Sequence, residues 1–120
     1  MHVRSYAQIE PFVTLDGSEI REWAGPVSAP AQNQSLAEAM IAPGGATTEH
    51  YHRASEELYL VTAGRGRLLI DGEERILGEG DCALIPPGSR HKVFNIGAGA
   101  LRIVCACSPP YSDEDTCLTE

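Results

Sequence analysis

Three histidines and one acid carry the chemistry that this sequence can do. His50 and His52 stand two apart in the run GGATTEHYHRASEELYLVTAG (residues 44–64), an acid follows at Glu56 or Glu57, and His91 comes later in GDCALIPPGSRHKVFN (residues 80–95). On a strand, residues two apart leave the same face with backbones about 6.5–7 Å apart, so two such imidazoles can tilt onto one ion. The step from His52 to Glu57 is odd, and an unbroken strand would send that carboxylate to the opposite face. The polar stretch Arg53-Ala54-Ser55-Glu56 reads as a turn that resets the register, after which Glu57, Tyr59 and Val61 share one face and Leu58 and Leu60 the other. Glu57 thereby rejoins the histidines.

Three neutral imidazoles and a carboxylate suit Fe(II), Mn(II), Ni(II), Co(II) or Zn(II). In an octahedral shell four protein ligands leave two positions open, as a catalytic metal needs and as a closed structural zinc site does not offer. Tyr59 has the parity either to donate a hydrogen bond beside the ion or to serve as a core aromatic with its hydroxyl at the barrel mouth.

Both stretches resemble the two motifs of the cupin superfamily. The first motif runs Gly, five residues, His-x-His, three or four residues, Glu, six residues, Gly, and is matched by Gly44, His50, His52, Glu57 and Gly64. The six-residue gap before Gly64 selects Glu57 over Glu56. The second is matched by Gly80, Pro86, Gly88, His91 and Asn95, with Asn95 read as tying a turn rather than touching the ion. The resemblance implies an all-β chain folded as a cupin-type antiparallel double-stranded β-helix, a jelly-roll barrel. It also implies one divalent transition-metal ion held by His50, His52, Glu57 and His91. Cupin sites of three histidines and a glutamate often host oxygen-dependent reactions. The leading expectation is therefore a metal-dependent enzyme on a small oxygen-rich or carbonyl-containing substrate, an Fe(II) or Mn(II) oxygenase or oxidoreductase. The alternatives are a metal-assisted isomerase or decarboxylase, and a non-catalytic ligand-binding or sensory cupin. Small cupins commonly pair, so a homodimer is expected as well.

The elements that must position these residues are short strands at regular spacing. They are expected at 57–62, 67–71, 74–77, 82–85, 91–95 and 101–107, separated by turns rich in Gly and Pro. Gly64, Gly66, Gly72 and Gly80 are expected to supply positive φ in those turns. Upstream, Phe12 to Leu15 and Glu19 to Trp23 read as strands, with Ile20 or Trp23 turned inward, and residues 25–34 read as a loop. Ser35 with Glu38 resembles a helical capping box, but Pro43-Gly44-Gly45 leaves room for barely two turns, so a strand is expected there. The chain divides into N-terminal strands and loop (1–35, available to a dimer interface), a barrel (36–112) and an acidic, solvated tail (113–120).

At 120 residues and a net charge of −8, this is one domain whose surface disfavours nucleic acid and anionic membranes. No apolar run approaches the roughly 20 residues of a membrane span and the start lacks a secretory h-region, which points to the cytoplasm. There, Cys82, Cys105, Cys107 and Cys117 should stay reduced. Cys105 and Cys107 share a face with Leu101 and Ile103 and are read as core packing, with a pocket-lining thiol as the alternative. Arg65, Arg67, Arg90 and Arg102 are read as surface residues, none of them singled out for substrate recognition.

Overall fold

Alternation of apolar and polar residues along the strands builds two antiparallel sheets whose apolar faces meet. The computed structural model describes all 120 residues, Met1–Glu120. The first sheet has the order β1 (Phe12–Val13), β2 (Glu19–Ala24), β3 (Ser35–Ile41), β10 (Leu101–Ser108), β5 (Glu56–Ala63), β8 (Cys82–Ile85). The second has the order β11 (Thr116–Leu118), β4 (His50–His52), β9 (His91–Asn95), β6 (Gly66–Ile70), β7 (Glu73–Leu77). Such a jelly roll leaves its inward side chains around an interior space. Much of that space is filled by Ile41, Tyr59, Val61, Leu68, Leu77, Ile85, Val93, Leu101 and Ile103.

β5 shows the period of two most plainly, with Glu57, Tyr59 and Val61 buried and Leu58 and Leu60 on the outer face. β3 is a strand because tertiary pairing outweighs local helix propensity: it is hydrogen-bonded to β10 on one side and to β2 on the other. Its Ala37, Ala39 and Ile41 line the interior. Outside, Glu38 accepts hydrogen bonds from Tyr6 Oη (2.6 Å) and Arg102 Nη1 (2.9 Å), which draws the N-terminal segment onto the barrel. Ile20 points in, whereas Trp23 packs against Tyr6.

Two expectations need correction. Gly66 has no positive φ, although Gly64, Gly72 and Gly80 do. Gly66 is required by packing instead, since a Cβ there would stand 2.9 Å from Leu101 Cδ2 and 3.1 Å from Val93 Cγ2. Nor is the acidic end a solvated tail. β11 pairs with β4 in register, Thr116 opposite His52 and Leu118 opposite His50, so the C-terminus closes the edge beside the histidines. The acids that suggested solvation make specific bonds. Asp115 accepts from the backbone N–H groups of Ala54 (2.7 Å) and Ser55 (3.0 Å), and Glu120 pairs with Lys92. No helix is long and apolar enough to cross a membrane.

Candidate metal centre

His50 and His91 are cross-strand partners on β4 and β9, and His52 follows two residues along β4, so all three rings leave one face of the second sheet. Their centroids lie 4.2–5.4 Å apart. Glu57 arrives from the opposite sheet. The stretch 53–55 does more than reset a register: it carries the chain from β4 in one sheet to β5 in the other, and Asp115 fixes that crossover. The four residues predicted from the sequence are thus brought together at the sandwich interior, each buried.

Hydrogen bonds on the far side of each ring set its tautomer. His50 Nδ1 donates to the Thr48 carbonyl (2.7 Å) and His91 Nδ1 to the Ser89 carbonyl (2.9 Å). A carbonyl only accepts, so both rings carry their proton on Nδ1 and present a bare Nε2. For His52 the partner is Thr116 Oγ1 at 3.0 Å, whose own proton is given to the Ser112 carbonyl at 2.9 Å. Thr116 therefore accepts, and His52 has the same tautomer. The Pro86-Pro87-Gly88 turn holds the Ser89 carbonyl in place, with Gly88 N–H donating to the His52 carbonyl at 2.7 Å.

Ligand atoms of the three histidines lie within 4.8 Å of one another, and a carboxylate oxygen stands against two of them. Glu57 Oε1 lies 3.2 Å from His52 Nε2 and 3.4 Å from His91 Nε2, and all three atoms are buried without a hydrogen-bond partner. Acceptors that face each other in a buried space are costly unless a cation sits between them. For ligand distances of about 2.1 Å, atoms at adjacent corners of a coordination shell are about 3 Å apart, close to what is observed. Burial acts to raise the Glu57 pKa, and the positive charge of an ion held among these donors would act to lower it. Burial and the neighbouring His91 lower the pKa of His50, which keeps that ring neutral. The donor set fits a divalent transition metal in number, chemistry and protonation.

The remaining walls of the cavity, about 50 Å³, include Asp16, Ala39, Tyr59, Cys105, Cys107 and Tyr111. Tyr59 stands edge-on to His91, with ring centroids 5.9 Å apart, and burial pushes its phenol pKa well up. Both cysteines of β10 line this cavity rather than merely filling core. Cys107 Sγ donates to Glu57 Oε2 at 3.1 Å, and burial with that carboxylate raises the thiol's pKa, so it remains a donor. None of the four cysteines is paired. Asn95 ties its turn as expected, donating to the Ile41 and Gly99 carbonyls at 2.9 Å each. None of the four arginines noted in the sequence lines the cavity, and Arg102 and Arg67 pair with Glu38 and Glu74.

Sequence reasoning missed Asp16 and Thr116. Asp16 Oδ2 stands 3.8 Å from His50 Nε2, yet Asp16-Gly17 carries only the signal of a turn. Thr116 lies in a segment whose charge hid a strand.

A family model described as the cupin domain matches residues 37–107. An uncharacterized protein of Methanocaldococcus jannaschii is 44% identical over 115 residues, covering 96% of this chain and 92% of that one. Protein SchB of Streptomyces halstedii is 34% identical over 93 residues, 78% of this chain and 67% of its own. Among solved structures, a variant of Streptomyces PAC13 with uridine superposes with a TM-score of 0.81 at 18% identity, covering 100% of this chain and 92% of that one. A formate complex of Lactobacillus farciminis oxalate decarboxylase gives 0.80 at 22% identity, over 93% of this chain and 34% of that one. At those identities the structures bear on the fold alone. With the family model matching more than half of its length, this chain belongs to the cupin family.

Proposed function

We propose that the chain is a metal-dependent enzyme in which His50, His52, Glu57 and His91 hold one divalent transition-metal ion and a small oxygen-rich or carbonyl-containing substrate chelates it. The observation that supports this is the convergence of three bare imidazole nitrogens and a carboxylate oxygen with no proton among them. When bound, such an ion supplies Lewis-acid polarisation of a substrate oxygen or, as Fe(II) or Mn(II), a partner for O₂. The chain's own residues do the rest. Thr48, Ser89 and Thr116 fix the three rings, Cys107 turns Glu57 Oε1 inward, and Ala39, Ile41, Val93 and Ile103 make the walls apolar and exclude water.

Oxidation is the first reading, because four protein ligands leave room for a substrate oxygen and O₂ side by side. Proton transfer without O₂, as in an isomerase or decarboxylase, is the second. It is favoured by Asp16, whose carboxylate is placed to take a proton from a ligand beside His50. Oxygen consumption by Fe(II)-loaded protein across small diketones, catechols and hydroxy acids tests the choice. Uptake of O₂ matched to substrate loss supports oxidation. Turnover unchanged in a rigorously anaerobic chamber refutes it and leaves proton transfer. Tight binding of a small ligand without conversion under any metal points to a sensory role.

A further inference from the structure

The turn between β1 and β2 aims one carboxylate at the metal centre, and it belongs to neither cupin motif. Asp16 Oδ1 is saturated, accepting from Thr14 Oγ1 (2.7 Å), Ser18 N–H (2.9 Å) and Ser18 Oγ (2.6 Å). The Asp16 carbonyl accepts from the Thr48 N–H at 2.7 Å, which ties this turn to the segment leading into His50. Oδ2 is left over. It faces His50 Nε2 at 3.8 Å, a nitrogen that has no proton to give, and the side chain is only 14% exposed. A carboxylate so oriented has an acceptor lone pair available to something inside the cavity, where Glu57 Oε1 and the Nε2 atoms of His52 and His91 are likewise unpartnered.

The charge of the cavity says what that something is. Its lining holds Asp16, Glu22 and Glu57 and neither lysine nor arginine. Glu57 and Asp16 face the histidines and together neutralise a divalent ion, and Glu22, which accepts from Ser28 Oγ at 2.8 Å, adds a further negative charge to the lining. A dianionic chelator would bring two further negative charges into an apolar space with no cation to meet them. A ligand that keeps a hydroxyl proton would instead donate it to Oδ2. We propose that Asp16 makes this site selective for a small, uncharged, hydroxyl-bearing bidentate oxygen ligand and against dicarboxylates. The cavity, about 50 Å³, suits a small ligand of this kind. This rests on the metal-dependent reading above.

The test uses the full-length chain loaded with Co(II) and two bidentate probes: acetohydroxamic acid, which adds no net charge when its O–H proton passes to Asp16 Oδ2 as its oxygens chelate, and oxalate, a dianion with no proton to give. Dissociation constants are read from the visible spectrum of the cobalt. The wild type is expected to bind acetohydroxamic acid at least about tenfold tighter than oxalate, and Asp16→Asn to reduce that ratio by about tenfold with unchanged cobalt content, the worth of a charge-assisted hydrogen bond. Asp16→Ala should shift it in the same direction. Equal or tighter oxalate binding by the wild type overturns the assignment without any variant. So does a ratio unmoved in both variants. Failure of the wild type to take up cobalt is visible before any probe is added, and it removes the metal-dependent reading and this one together.

Discussion

At the scale of the residue, proton positions decide what the histidine cluster can do. Because each Nδ1 proton is committed outward, only a cation or an external donor can satisfy the three Nε2 atoms. Glu57 is the fourth member, whereas Glu56 is exposed on the outer face of β5. Glu57→Ala should therefore lower metal affinity by at least about tenfold, the scale on which even supporting residues act, and Glu56→Ala should leave it unchanged in the same calorimetric titration. Equal losses would sink the pairing of this carboxylate with the ion. Cys107 orients Glu57 through Oε2, so Cys107→Ala should weaken metal binding and Cys107→Ser, which retains a donor, should recover most of it. If both variants bind as the wild type does, the thiol is only packing. Acidity follows the same logic. The folded site lowers the His50 pKa, so its contribution to stability is complete above the ordinary histidine value of about 6.5 and is lost as pH falls through the lower folded value. The metal-free melting temperature should decline as pH drops below about 6.5, and bound metal should dissociate over the same interval.

Elements explain why some of this was legible in the sequence and some was not. The faces of β5 follow from strict alternation across Glu57, Leu58, Tyr59, Leu60 and Val61, and a one-residue slip would expose the whole inward set. Spacing also found β9, since His91, Val93 and Asn95 share the buried face. Spacing within a segment cannot reveal that β4 and β5 belong to different sheets, because that depends on partners far along the chain. β11 was hidden for the same reason. Three residues between acids look solvated until their partner, β4, is in place some sixty positions upstream. The consequence is testable at Thr116. Thr116→Val keeps the strand's shape and removes the acceptor that fixes His52, so metal affinity should fall by about 10–100-fold with little loss of stability. An unchanged affinity would show that β4 alone sets the ring. Asp16 escaped detection differently: Asp-Gly is a common turn, and nothing local says that the turn folds over Thr48.

Taken whole, the molecule ends its two sheets in four edge strands, β1 and β8 in the first and β11 and β7 in the second. β11 and its acids seal the second sheet beside the site, while β1 ends the first sheet as an edge strand with Phe12 and Val13 48% and 70% exposed. Such an edge is open to pairing with another strand, and we propose that a second copy of the chain supplies it, in keeping with the homodimer expected from the sequence. Light scattering should give a dimer at micromolar concentration, and Val13→Glu should shift it toward monomer without changing metal content. A monodisperse monomer of the intact chain would remove this proposal and leave the site untouched, because all four candidate ligands come from one chain. Everything proposed for the site depends on those four side chains holding an ion. The most direct measurement of this is the metal stoichiometry of the full chain purified without chelator and reloaded with a divalent transition metal, set beside His91→Ala. One ion per wild-type chain and a clear loss in the variant are expected. A wild type that takes up none, or a His91→Ala chain that retains a full equivalent, contradicts this assignment.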